Sequence, residues 1–430
     1  MQDKKVSLGD VLVIGFAMFA MFFGAGNLIF PPFLGRIAGD QWFGGFLCFI
    51  IADAGLAIMT VLAMIRKDGT IWSMTDRLGK IPSKLLAIAS IAFVGPILCI
   101  PRTCATTFEM GMQPLFPGLN SWIFAAVFFG LTYILTIRPS AVVDIIGKFL
   151  TPALLVTLAV LVIMGIVSPI GEISDVATTD SVMREGILAG YQTMDVLGAL
   201  AVTLIVVGNA SSKGYESHKS CFDVIAKASI VAVIGLFVVY CGLAYLGATT
   251  SMVDGAANLN QTALVVFITE ALMGKVGVIL LSLIVTFACL TTAIGLVSAS
   301  ADFFSEVTGN RVKYTTLVLP ICLFGFVISN VGISSMIAIA TPVLNLIYPI
   351  LLTQIIMSFF SDKLKKDSIY RGAGLVTMIV CGIGILADYG VSGCSIVYSL
   401  PLSNFGFFWL IPAIIGGVLG ALVPDKQKVK

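Results

Sequence analysis

The sequence has few charged residues, a single histidine and no nucleotide-binding motif. Of its 430 residues only 11% are charged, whereas soluble domains carry about 25%. The nine cysteines are scattered without a CxxC pair, which disfavours both a disulfide framework and a zinc site. No Walker A pattern is present, and the net charge of +2 comes without a basic or aromatic cluster. These absences exclude a protein driven by nucleotide hydrolysis and disfavour nucleic acid as a partner.

Long apolar runs dominate instead, since 58% of the residues are hydrophobic. A hydrocarbon core about 30 Å thick requires roughly 20 apolar residues per helix. Runs of about this length recur roughly twelve times, and the least certain boundary is the short break at 329–332. The sequence therefore predicts an all-α polytopic membrane protein of about twelve helices. The runs lie near 9–33, 41–65, 84–108, 120–137, 143–167, 185–208, 223–247, 274–301, 314–330, 333–358, 372–390 and 404–423.

The positions of lysine and arginine predict the orientation. When loops are assigned alternately with the N-terminus inside, only Arg36, Arg184 and Lys275 of the 25 Lys and Arg residues fall outside, and Arg102 falls within a span. Basic residues concentrate in cytoplasmic loops. We therefore expect a multi-pass protein of the cell (inner or plasma) membrane with both termini in the cytoplasm. The polar stretch 249–261 is long enough to fold over the outer mouth.

The first apolar run contains the sequence Phe-Phe-Gly-Ala-Gly-Asn-Leu-Ile-Phe-Pro-Pro at 22–32. Glycine loosens a helix and proline removes backbone donors. A broken helix is tolerated at membrane depth only where protein or a water-filled cavity satisfies the freed groups. The free N–H and C=O groups of an unwound segment could hold a carboxylate and a cation. Gly24, Ala25, Gly26 and Asn27 are therefore candidates for a binding site, with a tight helix crossing as the alternative.

The sixth run carries Asp195 near its middle, where a carboxylate is costly and usually faces the bundle interior. Asp195 could meet a substrate ammonium, a coupling ion or a proton, or could pair with Arg102. The first and sixth runs begin two groups of five and cross in opposite directions. Interrupted segments at corresponding positions of an inverted repeat indicate a transporter site.

Three other intramembrane ionisable residues, Asp53, Arg102 and Glu109, are candidates for ion pairing or for coupling. Function and a structural ion-pair network are equally open for them. In the eighth run, Thr291 and Thr292 place adjacent hydroxyls about 100° apart on a helix. Either hydroxyl could bond a backbone carbonyl or ligate a hard cation.

Three motifs resemble the branched-chain amino acid:cation symporters, the bacterial system II carriers for leucine, isoleucine and valine. They are the 22–32 sequence, Pro101-Arg102-Thr103 with Phe108-Glu109, and Gly190-Tyr191-Gln192-Thr193-Met194-Asp195. The resemblance extends from the N-terminus to the last span. It implies a LeuT-like 5+5 inverted repeat with helices 1 and 6 unwound. It places this transport core at 1–360, and two additional helices at 361–430.

The resemblance also implies which residues bind each part of the substrate and which bind the ion. Amides around Gly24–Gly26 would bind the substrate carboxylate, and carbonyls near Asp195 would take the ammonium group. The residues expected to contact substrate are Gly24, Ala25, Gly26, Asn27, Thr103, Thr193 and Asp195. A sodium ion joining helices 1 and 8 would be ligated by Ala20, Phe23, Ala288, Thr291 and Thr292. Asn27 resembles an asparagine that ligates a second sodium in some relatives.

The sequence departs from the family pattern at two positions. Helix 3 lacks the tyrosine that often touches the substrate carboxylate, so Thr103 or Arg102 would substitute for it. Asp195 stands where several relatives have a hydroxyl residue, which allows proton coupling. We expect a secondary transporter that imports leucine, isoleucine and valine with sodium, or with protons. The alternatives are another neutral amino acid as substrate, a membrane-embedded enzyme and a channel. An enzyme would need paired carboxylates or a metal cluster at one membrane face.

Overall fold

The computed structural model describes residues 4–67, 70–137 and 141–423, and this part of the chain is helical without a strand. Many of the helices join into longer, bent rods. The helices are α1 Leu8–Phe22, α2 Ala25–Ala38, α3 Trp42–Ile50, α4 Leu56–Ile65, α5 Ile71–Thr75, α6 Lys80–Ala92, α7 Cys99–Thr106, α8 Ser121–Ile137, α9 Ala141–Val167, α10 Val182–Thr193, α11 Asp195–Ser212, α12 His218–Ala248, α13 Gln261–Val307, α14 Tyr314–Ser329, α15 Ile333–Ser358, α16 Asp367–Asp388 and α17 Leu410–Leu422.

Each predicted apolar run coincides with one helix or with a broken pair of helices. Within the described ranges, seven helical segments are long and apolar enough to cross a membrane, and five shorter apolar helices accompany them. The outward face of α12 has exposed Ile230, Ile234 and Val238 at four-residue intervals. Such a stripe would be unfavourable in water and suits lipid. The all-helical membrane architecture expected from the sequence is confirmed.

Helices of the first and sixth runs are interrupted, as expected. The first interruption is shorter than the motif at 22–32, because it covers only Phe23 and Gly24. Pro31 and Pro32 lie inside α2, so the prolines of this motif do not themselves interrupt the helix. The fixed φ of proline is compatible with a helix. The prolines leave the carbonyls four residues earlier, on Asn27 and Leu28, without their usual amide partners.

The second and third runs carry local irregularities. Ile51–Gly55 forms a π-helical turn between α3 and α4, and Asp53 lies within it. In the third run Gly95 has non-helical angles (φ −102°, ψ −116°) beside Pro96, which produces the expected bend. Pro101 lies within α7. π-helical turns are frequent at functional sites, and Asp53 and Gly95 in these two irregular segments are buried.

Residues predicted to lie on the same side of the membrane contact one another. On the side with many basic residues, Lys4 Nζ donates to Lys213 O at 3.0 Å. On the opposite side, Arg36 Nη1 donates to Leu259 O at 2.8 Å. This second contact fastens the polar stretch 249–261 across the end of α2. The predicted alternation of loops is therefore consistent with the contacts at both ends of the bundle.

The helices α2 and α12 approach each other at backbone distance. A Cβ atom on Gly35 would lie 1.9 Å from Ala244 O, and one on Gly247 would lie 1.8 Å from Pro32 O. The last two helices, α16 and α17, are also joined through glycines, Gly372 and Gly416. The division into a core at 1–360 and two helices at 361–430 stays a prediction, and residues 424–430 lie outside the described part.

Candidate functional site

The break in the first run leaves both N–H donors and C=O acceptors of the backbone without helical partners. Helix α1 ends at Phe22, and Phe23 (ψ 93°) and Gly24 (φ −115°, ψ −176°) are extended. Helix α2 begins at Ala25 without a side-chain cap. The first N–H groups and the last C=O groups of a helix have no intrahelical partner. The break therefore supplies the N–H groups of α2, at the positive end of its dipole, and the carbonyls of Ala20 to Phe22.

The break in the sixth run is made by one residue, Met194, which is left-handed (φ 65°, ψ 20°) and buried. A left-handed conformation of a residue other than glycine costs roughly 1–3 kcal/mol and persists where the surroundings impose it. The neighbouring Thr193 is held at its hydroxyl, whose single O–H lies within hydrogen-bond distance of two acceptors, Gly190 O at 2.6 Å and Asp53 Oδ1 at 2.7 Å. Asp195 then begins α11.

One cavity of about 300 Å³ lies between the two breaks, at the lower end of the range of small-molecule sites. All seven residues expected to contact substrate line it, and so do Arg102, Ala20, Thr291 and Thr292. Phe23 and Ala288 of the predicted sodium ligands are not among its lining residues. The apolar part of the wall was not predicted, because apolar residues carry no distinguishing signal in membrane helices. It includes Met21, Phe22, Val94, Val202, Ile205 and Leu296.

Asn27 joins two carboxylates. Its Nδ2 donates to Asp195 Oδ2 at 2.9 Å and to Asp53 Oδ2 at 3.2 Å. Asn27 and Asp53 are almost completely buried, with 1% and 0% of their surfaces exposed. Asp53 lies behind the cavity wall, whereas Asp195 faces the cavity. The asparagine therefore connects the start of α2 with the second and sixth spans, a role that the sequence did not predict.

Arg102 bonds to the break in the sixth span. Its Nη1 donates to Gln192 O at 2.6 Å and its Nη2 donates to Thr193 O at 3.2 Å. Only 3% of the residue is exposed. Asp195 is not an ion-pair partner of Arg102 in the structure, since the four ion pairs among the described residues involve neither. The partners of Arg102 are therefore carbonyls and not the carboxylate of Asp195.

Thr291 and Thr292 line the same cavity as Ala20. Their hydroxyls donate to the same carbonyl, Ala288 O, at 3.0 and 2.9 Å. Each hydroxyl oxygen keeps lone pairs for another partner. Together with the carbonyls freed at the end of α1, they form a set of neutral oxygens of the kind that hard cations prefer. These oxygens are of the type that a sodium ion requires, and the ligand set of Ala20, Phe23, Ala288, Thr291 and Thr292 stays a prediction.

Glu109 lies away from the cavity. Its carboxylate accepts hydrogen bonds from Thr262 Oγ1 at 2.5 Å and from Ile333 N at 3.1 Å. These partners begin α13 and α15 at the side where Arg36 holds the 249–261 stretch. None of the ion pairs in the described residues involves Asp53 or Glu109. The structure thus brings Asp53 and Arg102 to the site and leaves Glu109 away from it, at the starts of α13 and α15.

A family model and individual relatives of this chain agree on the family to which it belongs. Residues 7–427 match the model of a family described as branched-chain amino acid transport protein. The chain is 33% identical to the branched-chain amino acid permease BraB of Bacillus subtilis over 97% of both chains. It is also 33% identical to the branched-chain amino acid permease BrnQ of Escherichia coli K12, over 97% of this chain and 96% of that one.

Solved structures show the fold. The chain is similar to Mhp1, a nucleobase-cation-symport-1 family transporter, in a closed conformation with bromovinylhydantoin bound. The TM-score is 0.66 with 14% identity, over 96% of this chain and 91% of the other. An inward-facing conformation of Mhp1 matches with a TM-score of 0.63, 15% identity, and coverage of 97% and 90%. The LeuT-like fold with broken helices 1 and 6 is thereby confirmed. The chain belongs to the branched-chain amino acid transport protein family, as a multi-pass membrane transporter and not an enzyme.

Proposed function

We propose that the protein imports leucine, isoleucine and valine across the cell (inner or plasma) membrane by symport with sodium. The observation that carries this proposal is the cavity between the two broken spans. It combines uncapped helix amides, a carboxylate and an apolar wall within about 300 Å³. A branched-chain amino acid has the same three parts, namely a carboxylate, an ammonium group and a short apolar side chain.

The substrate is oriented by the two breaks. Its carboxylate accepts hydrogen bonds from the N–H groups at the start of α2, around Gly24–Gly26, where the helix dipole also favours an anion. Its ammonium group faces Asp195 and the carbonyls beside Met194. Its side chain rests against the apolar wall, for example Val202 and Ile205. A second charge on a substrate side chain would be buried without a partner there, which disfavours aspartate and lysine as substrates.

Alternating access is supported by a difference between the two ends of the helix bundle, since the cavity continues toward one end and a chain segment covers the other. The cavity continues along α11 and α13, past Ala201, Ile205 and Ala299, toward the side that carries most of the Lys and Arg residues. At the opposite side, Arg36 and Glu109 hold the segment 249–262 across the bundle. We assign the basic side to the cytoplasm, with both chain termini there, and the closed end to the outside. In this assignment the conformation described here faces inward.

Sodium is the coupling ion that we favour. The ion would be held by backbone carbonyls of Ala20, Phe23 and Ala288 and by the hydroxyls of Thr291 and Thr292. It would join the end of α1 to α13, so that ion binding favours one arrangement of the broken first span. The role of Asn27 is different in this proposal. Its amide holds Asp53 and Asp195 together, and only its side-chain oxygen is left for an ion.

Proton coupling is the second candidate, and the network around Asn27 favours it. Asp53 and Asp195 share one amide donor, since Asn27 Nδ2 donates to Asp53 Oδ2 at 3.2 Å and to Asp195 Oδ2 at 2.9 Å. Like charges so close are stabilised when one of them binds a proton. The hydroxyls of Tyr240 and Tyr348 are buried and make no hydrogen bond within the described part of the chain. An acid pair of this kind could load a proton with each substrate molecule.

Uptake of labelled leucine into proteoliposomes tests the sodium proposal. We expect accumulation under an inward sodium gradient, and Thr291→Val should raise the sodium concentration for half-maximal uptake about 10-fold, because a hydroxyl ligand to a charge is lost. Thr269→Val is the matched control. Thr269 lies in the part of α13 before its kink at Gly274, and its hydroxyl also donates to a backbone carbonyl of its own helix, Val265 O, but it does not line the cavity. An equal sodium requirement in wild type and Thr291→Val would contradict the ligand assignment.

A further inference from the structure

A narrow groove lies between α15, α16 and α17 and shares no lining residue with the cavity between the broken spans. Its volume is about 280 Å³. One face of α17 lines it along the whole helix, with residues at intervals of three and four: Leu410, Ala413, Ile414, Gly417, Val418 and Ala421. Ile414 and Val418 are 61% and 60% exposed, so the groove opens toward the surroundings of the bundle. We propose that this groove is a binding site for one phospholipid with an anionic head group.

The walls of the groove are apolar. Among the described residues that line it, Thr353 alone has a polar side chain, and its hydroxyl donates to Pro349 O at 2.8 Å. An apolar cavity of this kind stays dry, and an empty one forfeits the van der Waals contacts of its lining. In a membrane the groove is therefore filled by hydrocarbon or by an apolar protein segment.

The dimensions of the groove select a lipid chain over a helix. Leu410 and Ala421 are 11 residues apart, which is roughly 16 Å along a helix and about half of the hydrocarbon core. A helix about 10 Å wide would need roughly 1,300 Å³ over that length, several times the volume of the groove. An extended acyl chain from one leaflet has the right length and is narrow enough.

The mouth of the groove lies where α17 ends and α16 begins, and this end is basic. Leu364 lines the groove and is flanked by Lys363, Lys365 and Lys366, which are all exposed. Lys366 Nζ donates to Ala421 O at 2.9 Å, so its charge lies at the last turn of α17. An ammonium group has three N–H donors, and Lys366 can therefore bind a phosphate at the same time.

Nearby acids do not cancel the charge of this mouth. The loop 359–366 has three lysines and one acid, Asp362, which gives a net charge of +2. Asp367, at the start of α16, is paired with Arg77 at 3.6 Å. Basic pockets between helices on the cytoplasmic side favour anionic head groups, and each lysine near the surface adds to the attraction. The length of the groove and the charge of its mouth thus point to the same ligand, whose tail would join α15 to α16 and α17.

Photolabelling in proteoliposomes tests this site. The full-length protein is placed in phosphatidylcholine vesicles with a trace of phosphatidylglycerol or phosphatidylcholine probe, both carrying the same diazirine-bearing acyl chain. Mass spectrometry then locates the labelled residues. We expect the phosphatidylglycerol probe to label 410–421 about 10-fold more than the phosphatidylcholine probe, because of the charge of the loop. At the exposed face of α12, which carries Ile230, Ile234 and Val238, the two probes should label equally.

Neutralising the mouth tests the head group. In Lys365→Gln with Lys366→Gln no net charge is left in the loop, so the ratio of the two probes at 410–421 should fall to about one. Lys80→Gln with Lys84→Gln is the matched control, because both lysines are exposed on the basic side, in α6, and do not line the groove. This control should keep the wild-type ratio. All four lysines are exposed, so both variants should fold.

Filling the groove tests the acyl chain. Gly417→Leu places a side chain in the middle of the groove, and its Cβ would lie 3.6 Å from Ile369 Cγ2, which is an ordinary contact. Labelling of 410–421 by the phosphatidylglycerol probe should fall to the level of the α12 face. Gly382→Leu in α16 is the matched control, since an added Cβ there has no atom within 4 Å and the residue does not line the groove. It should label like wild type.

The outcomes decide between a lipid site and its alternatives. Equal labelling of 410–421 by the two probes in wild type would show bulk lipid only and would overturn the proposal. A wild-type ratio in the variant that lacks Lys365 and Lys366, or undiminished labelling of Gly417→Leu, would do the same. A groove that both probes label less than the α12 face would be covered by protein, such as a second copy of the chain, and would also overturn it. None of these measurements involves leucine, so their failure leaves the proposed transport function unaffected.

Discussion

Asp195→Asn should lower leucine uptake about 100-fold. Asp195 is the carboxylate that faces the cavity, and asparagine keeps its size while removing its charge. Truncating one partner of a buried charge pair typically costs about 2–5 kcal/mol, and each 1.4 kcal/mol is a factor of ten. The substrate ammonium would then be buried without its counter-charge. Initial rates of labelled leucine uptake, with the amount of folded protein measured in parallel, give the effect.

Two further measurements interpret this result. Asp388→Asn is the control, because Asp388 forms an exposed ion pair with Arg184 at 3.3 Å, and such pairs contribute about 0–1 kcal/mol. Its uptake should stay close to wild type. Exchange of labelled for unlabelled leucine separates the roles of Asp195. If the variant exchanges leucine normally and fails only in accumulation, Asp195 serves coupling and not the ammonium. Normal accumulation would remove Asp195 from the site altogether.

Gly247→Ala should destabilise the protein more than the other substitutions considered. A Cβ at this position would lie 1.8 Å from Pro32 O, and the partner contact at Gly35 is as close, 1.9 Å from Ala244 O. Both atoms that would be met are backbone atoms, so the helices α2 and α12 must separate. Overpacking of this kind costs about 1–3 kcal/mol and sometimes more. We expect a clearly lower unfolding temperature in detergent, and a lower uptake because α2 carries the site.

Gly130→Ala provides the comparison for this prediction. Gly130 lies inside α8 and has no atom within 4 Å of an added Cβ. Alanine is favoured over glycine in a helix by roughly 0.5–1 kcal/mol, so this variant should be as stable as wild type or slightly more stable. If Gly247→Ala unfolds at the same temperature as Gly130→Ala, the close contact between α2 and α12 is not a determinant of stability.

The architecture could be predicted because its causes are local in the sequence. Runs of about 20 apolar residues indicate spans, and Gly24 and Gly26 with Asn27 indicate a broken helix. The lone Asp195 indicates the counterpart of that break. Glu109, another intramembrane acid that the sequence singled out, joins the starts of α13 and α15. In each case a residue that is costly in lipid marks the position.

The connections within the site could not be predicted, because they depend on how separate spans pack. Met194 makes the second break, although methionine has no preference for left-handed angles. Asn27 joins Asp53 and Asp195 across 168 positions of sequence, and nothing in its neighbours specifies those partners. Arg102 could have met a carboxylate or carbonyls, and only the position of α10 decided between them. Pro31 and Pro32 indicated a break where the helix continues.

Leucine uptake with sodium and proton gradients imposed separately tests the central claim most directly. Purified protein in proteoliposomes should accumulate labelled leucine when sodium is high outside, without a pH difference. Excess isoleucine or valine should compete, whereas aspartate and lysine should not. Accumulation that ignores sodium and follows the pH gradient would contradict the sodium site at Thr291 and Thr292 and would favour the Asp53–Asp195 pair. If leucine accumulates with neither the sodium gradient nor the pH gradient, the proposed symport is contradicted.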